Sequence, residues 1–158
     1  MAGDVVSSEG SIVVLIAGAG LAFSVSFFCS LMEAALLSIT PGQLAKLKQE
    51  KPRAGSIMGR LKNDLDRPIT VILALNTAAH TIGATVAGAQ FGLLFGNSAI
   101  ALFSGVFTFL MLQYTEILPK SVGVRFNKVI CGWMALPLLT LTRVLGPVIG
   151  LLRFLNRP

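Results

Sequence analysis

The chain has 158 residues, 54% of them hydrophobic and only 13% charged, and its mean hydropathy of +0.78 lies outside the range of a soluble domain. With so apolar a composition, the formal net charge of +6 reads as contact with anionic lipid rather than nucleic acid. The two cysteines, Cys29 and Cys131, are far apart and lack metal-site spacing; both read as small buried hydrophobes.

Taken in order, residues 1–10 form a small, polar or acidic tail expected to be loose. The first long apolar run, Ser11–Leu37, exceeds a signal peptide and follows Asp4 and Glu9 rather than basic residues, so it is expected as an uncleaved helix. Its polar side chains gather in one half. Ser26, Ser30 and Glu33 are spaced i, i+4, i+7 and share a helix face that should look inward. Thr40-Pro41-Gly42-Gln43 ends this helix. The connector 40–67 then mixes Leu44, Leu47, Ile57, Met58 and Leu61 with basic residues, the pattern of short amphipathic helices on a membrane surface, broken at Pro52 and Gly55.

Two further runs, Ile69–Phe95 and Ser98–Leu118, are long enough for a hydrocarbon core that needs roughly 20 residues per helix. The second span holds Asn76 and His80 as i, i+4 partners, and an amide in hydrocarbon must find a hydrogen bond or a metal. His80, Ala84, Gly88 and Gly92 make a small-residue stripe that can pack against the first span or a second subunit. In the third span Phe103, Phe107 and Phe109 read as lipid-facing or packing residues. The fourth run, Val129–Leu152, is interrupted by Pro137, Arg143, Gly146 and Pro147. It is expected as a kinked helical segment in the inner interface, part of a juxtamembrane belt over 129–158, rather than a fourth crossing.

Orientation follows from the 13 Lys and Arg residues, none of which precedes Lys46. Seven lie in the connector and six follow Leu118, so the connector and the C-terminal part are expected in the cytoplasm and the N-terminus and the Gly96-Asn97-Ser98 turn outside. Residues 11–128 thus read as a three-helix transmembrane domain.

The third span ends on Tyr114–Gly123, which places Glu116 where hydrocarbon is expected and Pro119 three residues later. A charge at that depth marks a functional site by default. Pro119 has no N–H for the Thr115 carbonyl, which leaves a backbone oxygen free beside the carboxylate. If the three helices pack in one bundle, the Ser30 hydroxyl, the Asn76 carbonyl, the Glu116 carboxylate and backbone oxygen near Pro119 and Gly123 converge. Such hard donors suit Mg²⁺, Ca²⁺ or Na⁺ rather than Zn²⁺ or copper. Glu33, near the helix end, can instead pair with a basic residue of the connector.

Three motifs carry a family resemblance: Phe27-Phe28-Cys29-Ser30-Leu31-Met32-Glu33-Ala34-Ala35-Leu36-Leu37-Ser38, Leu75-Asn76-Thr77, and Thr115-Glu116-Ile117-Leu118-Pro119-Lys120-Ser121-Val122-Gly123. Together they resemble the transmembrane domain of the CNNM/CorC magnesium transporters over nearly the whole chain. The resemblance implies a homodimer of three-span subunits in a bacterial inner or plasma membrane, exporting Mg²⁺ in exchange for Na⁺. It also implies Mg²⁺ held largely dehydrated by Ser30, Asn76, Glu116 and the backbone near Gly123, with Glu33 nearby. Leu31-Met32 departs from the smaller residues common there. The resemblance also implies cytosolic CBS-type domains in the full-length family, beyond the residues of this sequence.

Two rivals use the same residues differently. A non-transporting Mg²⁺-sensing or regulatory module would need the same ligands. An intramembrane hydrolase would need a nucleophile and base around the single His80, which has no acid on its own helix.

Overall fold

The computed structural model describes residues 2–155, with side chains for 10–147; Asp4, Glu9, Arg153 and Arg157 lie outside the described side chains. Among the described residues the fold is all helical. Helix α1 runs over Ala2–Ser38, so the loose tail expected before Gly10 is helical instead. α2 (Pro41–Glu50) and α3 (Pro52–Asn63) form the connector. α4 spans Asp66–Phe95. α5 (Ile100–Met111), a π-helical stretch (Leu112–Ile117) and α6 (Leu118–Arg125) follow one another as a single rod, and α7 spans Asn127–Leu155.

Among the described residues four helices are long and apolar enough to cross a membrane: Gly10–Ser38, Asp66–Phe95, Asn97–Arg125 and Asn127–Pro147. The expected three are among them. The fourth continues through Pro137 and Pro147 where the sequence suggests interruption, because neighbouring elements can re-satisfy the carbonyls a proline leaves free.

Helices α1 and α4 are antiparallel. Gly18 lies against Val86, Gly83 against Ala22, and Ser26 against His80. A Cβ on Gly83 would collide with the Ala22 methyl, so this glycine sets the closest approach of the two helices. The close-packed face of α4 is therefore Gly83 and Ala87, both buried, while Ala84 is exposed and Gly88 has nothing within 4 Å. Of the stripe noted in the sequence, His80 packs on α1 but Ala84 and Gly88 do not. Gly96, at φ +78°, makes the turn into the third rod, a conformation glycine adopts without a Cβ penalty.

Towards Gly96, the end expected outside, Ala22, Ala87, Phe107 and Met111 form an apolar cluster, and Phe91 stacks on Phe103 at 4.2 Å, which stacks on Phe107. Phe109, by contrast, is exposed.

A larger core joins the opposite ends of α1 and α4, those expected to be the inner ones, to α2, α3 and α7 through Leu36, Leu47, Met58, Ile72, Cys131 and Leu138. The connector breaks once, at Lys51, which caps α2 and precedes Pro52. Gly55 does not break α3. A Cβ there would be 2.5 Å from the Lys48 Cα, so its glycine permits the tight α2–α3 crossing. Thr40 and Gln43 form a capping box for α2. Lys62 Nζ donates to the Leu36 and Leu37 carbonyls, each at 3.0 Å, closing the end of α1. Asn127 Nδ2 donates to the Ser38 carbonyl at 3.2 Å, which fixes the start of α7 there. Further along α7, Arg143 lines a cavity of about 430 Å³ with Arg60, Asp64, Arg67 and Pro68.

Candidate cation site

Glu116 sits in the π-helical stretch. The N–H of Leu118 donates to the carbonyl of Gln113, five residues back. In that register the donor due to the Tyr114 carbonyl is the N–H of residue 119, and Pro119 has none. The π turn thus moves the freed carbonyl from Thr115, where a regular α-helix would put it, to Tyr114. Pro119 is itself fully buried, so this backbone irregularity lies within the bundle.

Contacts one turn away fix the depth of the site. Ser26 on α1 meets His80 on α4 and Thr115 on the third rod. One turn inward from these three are Ser30, Asn76 and Pro119, because α1 and the third rod run in the same direction and α4 runs against them. The structure therefore places Ser30, Asn76 and the π-turn backbone at one level. Ser30 is 0% exposed. Neither Ser30 Oγ nor Asn76 Oδ1 has a hydrogen-bond partner in the protein. An unsatisfied buried polar group costs about 1–3 kcal/mol, and these are two such oxygens on helices in direct contact.

Glu116 Oε1 lies 3.7 Å from His80 Nδ1, with both side chains about 30% exposed. Glu33 is turned elsewhere: its Oε2 lies 3.5 Å from Lys120 Nζ. Its basic partner therefore comes from α6 rather than the connector, and Lys120 answers Glu33 rather than Glu116. Gly123 is one turn further in. A Cβ there would be 2.8 Å from the Ala34 methyl and 2.9 Å from the Leu31 carbonyl oxygen. Its glycine lets α6 touch the α1 backbone, which brings the π turn level with Ser30. Leu31 and Met32 are both buried beside it.

Ser26, expected from its spacing to share an inward face with Ser30, and His80, the i+4 partner of Asn76, are neighbours of this site, and Thr115, next to Glu116, joins them; the contacts among the three are what the spacing does not announce. Ser26, His80 and Glu116 together have the outline of a serine–histidine–acid triad. The hydrogen bonds argue against that chemistry. Thr115 Oγ1 donates to the Met111 carbonyl at 2.7 Å, and Ser26 Oγ donates to Thr115 Oγ1 at 2.9 Å. With its one proton committed, Ser26 accepts from His80 Nε2 at 2.5 Å, so this nitrogen is a donor and not a base toward Ser26. Ser26 is also fully buried. Among the described residues no three His, Cys, Asp or Glu side chains cluster as metal ligands, so a cation here would depend on hydroxyl, amide and backbone oxygens beside the single Glu116 carboxylate.

The profile of the cyclin M transmembrane N-terminal domain (CNNM) matches residues 17–157. A UPF0053 protein of Synechocystis is 29% identical over 133 residues, covering 84% of this chain and 38% of that protein. The UPF0053 inner membrane protein YfjD of Escherichia coli is 24% identical over 84% of this chain and 31% of its own length. A putative DUF21 domain-containing chloroplastic protein of Arabidopsis thaliana is 27% identical, with 20% of its length covered. The chain thus spans well under half of each of these relatives. A match over residues 17–157 takes in most of the first long helix, the other three whole and every residue of the candidate site, and the chain belongs to the CNNM transmembrane domain family.

Proposed function

We propose that this domain moves Mg²⁺ out of the cytoplasm, in exchange for Na⁺, through a site formed by Ser30, Asn76, Glu116 and the backbone freed by Pro119. Membership of a membrane family supports an ion-transport role. The observation that carries the Mg²⁺ reading is the pair of buried oxygens, Ser30 Oγ and Asn76 Oδ1, without a protein partner. Buried polar atoms are nearly always paired with protein, ordered water or an ion, and a bound cation would satisfy both oxygens at once. Their donor chemistry is that of hard cations, and rigid helices favour the ion with the stricter octahedral demand.

The spans are read as α1, α4 and the third rod, with α7 along the inner surface. Two contacts support this. α7 begins at the Ser38 end of α1, and sixteen residues later Arg143 lines a cavity with Arg60 and Arg67 at the connector end of α4. Both positions are inner ends of spans, although sixteen helical residues extend about 24 Å. The face carrying the exposed Ala84 and, one turn on, Gly88, where an added Cβ would meet nothing within 4 Å, is read as the surface where a second copy pairs, as the family resemblance implies.

Flux from proteoliposomes loaded with Mg²⁺ tests the assignment. Glu116→Gln and Asn76→Ala are expected to abolish efflux driven by an opposing Na⁺ gradient. Wild-type rates in either variant would refute the ligand set. Mg²⁺ binding without gradient-dependent movement in the wild type would make the domain a sensor instead.

A further inference from the structure

Helix α7 carries one charge in its apolar middle, Arg143, between Leu141-Thr142 and Val144-Leu145. An arginine in such a run is costly and by default marks a functional position. It lines a cavity of about 430 Å³ together with Arg60 of α3 and Arg67 of α4, a volume within the roughly 300–1,000 Å³ of small-molecule sites. Asp64 is the one acid in that lining, so three guanidinium groups against one carboxylate leave the cavity with a net charge of +2. Asp64 Oδ2 lies 3.5 Å from Arg67 Nε, with both side chains more than half exposed, and such a pair is weak in water. Among the described residues Arg60 and Arg143 have no carboxylate partner. Three helices thus bring like charges to one place, an arrangement that an anion among them would relieve.

The cavity is also divided by polarity. Leu61 and Pro68 are buried and Leu139 is half-buried, while the three arginines are exposed, which gives an apolar floor under a cationic rim. Thr142 Oγ1 donates to the Leu139 carbonyl at 2.8 Å, so the donors left for a ligand are the guanidinium N–H groups, whose planar fork matches phosphate oxygens. Arg67 and Pro68 directly precede Ile69, where the apolar run of α4 begins. The cavity therefore lies where hydrocarbon meets water, whichever way α7 runs. We infer that it binds the headgroup of an anionic phospholipid, with the phosphate held by Arg60, Arg67 and Arg143 and the glycerol end of the acyl chains over Leu61, Pro68 and Leu139. Basic pockets between helices at a membrane surface take such headgroups. A zwitterionic lipid has the same phosphate but brings its own cation, which the rim repels. An acidic peptide would match the charge and leave the apolar floor unused. The inference does not depend on which ion the domain moves.

The test uses the intact chain in detergent, titrated separately with phosphatidylglycerol, phosphatidylcholine and inorganic phosphate, and read by native mass spectrometry and by the thermal midpoint. Phosphatidylglycerol is expected to bind saturably, to raise the midpoint, and to bind about ten-fold or more tighter than phosphatidylcholine. Equal retention of the two lipids, or the same rise with inorganic phosphate alone, would overturn the lipid assignment. Arg143→Gln should weaken phosphatidylglycerol binding about five-fold. Arg53→Gln removes the same charge from α3 outside this cavity and should change binding less than about two-fold. Equal losses in the two variants would mean diffuse attraction to a basic surface and no site. Asp64→Asn guards against an arginine variant that folds poorly. It removes the carboxylate that competes with the phosphate, so it should tighten phosphatidylglycerol binding about five-fold; unchanged or weaker binding would equally overturn the inference.

Discussion

The inner ends of the helices and the junction two turns deeper treat their polar groups in opposite ways. At the inner ends, Lys62 closes the last carbonyls of α1, Asn127 takes the Ser38 carbonyl, and Thr40 and Gln43 cap α2 reciprocally. Eight residues back along α1, Ser30 Oγ is buried without a partner, as is Asn76 Oδ1 across from it. Both regions come from the same helices and the same sequence. The contrast supports the proposal that the two oxygens left open at the junction serve a ligand.

Removing the close approach that creates the junction should have the largest effect. Gly123→Ala places a methyl against the Ala34 side chain and the Leu31 carbonyl, and backbone cannot yield as a flexible side chain can. The expected loss is about 1–3 kcal/mol, read as a lower thermal midpoint in detergent, together with lost ion flux. A stable, active variant would mean that α6 and α1 are not pressed together. On the structural side of the comparison, Lys62→Met deletes the cap on α1 and should cost about 1 kcal/mol with flux retained. Lost flux at full stability would instead tie Lys62 to transport.

The smallest effect is expected at the α2–α7 contact. Lys128 Nζ bonds both Glu50 oxygens at 2.8 and 2.9 Å, and that hydrogen bond holds the Glu50 carboxyl below its ordinary 4.5. A depressed carboxylate contributes stability above its unfolded value and loses it as pH falls through the folded one. The contact is therefore intact at neutral pH and weakens only in acid. Because the pair is exposed, Glu50→Gln should leave the thermal midpoint at pH 7 unchanged within error. A clear drop would show that the connector is held by charge rather than by Leu47, Met58 and Cys131.

Most of the fold was legible because hydrocarbon length and basic-residue placement are strong constraints. Ser30, Asn76 and Glu116 were legible because polar groups in an apolar run stand out. What the sequence could not give was registry between helices. Placing His80 opposite Ser26 depends on where Gly83 meets Ala22, and pairing Lys120 with Glu33 depends on how closely Gly123 lets α6 approach. The π turn was equally hidden. Pro119 announces a missing N–H, but whether Thr115 or Tyr114 loses its donor depends on a one-residue change of register that packing determines. Gly55 read as a breaker because a glycine's use as a contact surface appears only when the crossing helix is in place.

The measurement that addresses the central claim most directly is the thermal midpoint of Ser30→Ala against wild type, with and without Mg²⁺. Ser30 Oγ is buried and unpartnered, so its removal in chelator should raise stability by about 1 kcal/mol, while the stabilisation that Mg²⁺ gives the wild type by binding the folded state should shrink or vanish. A variant that is less stable than wild type in chelator, yet gains as much from Mg²⁺, would contradict the account.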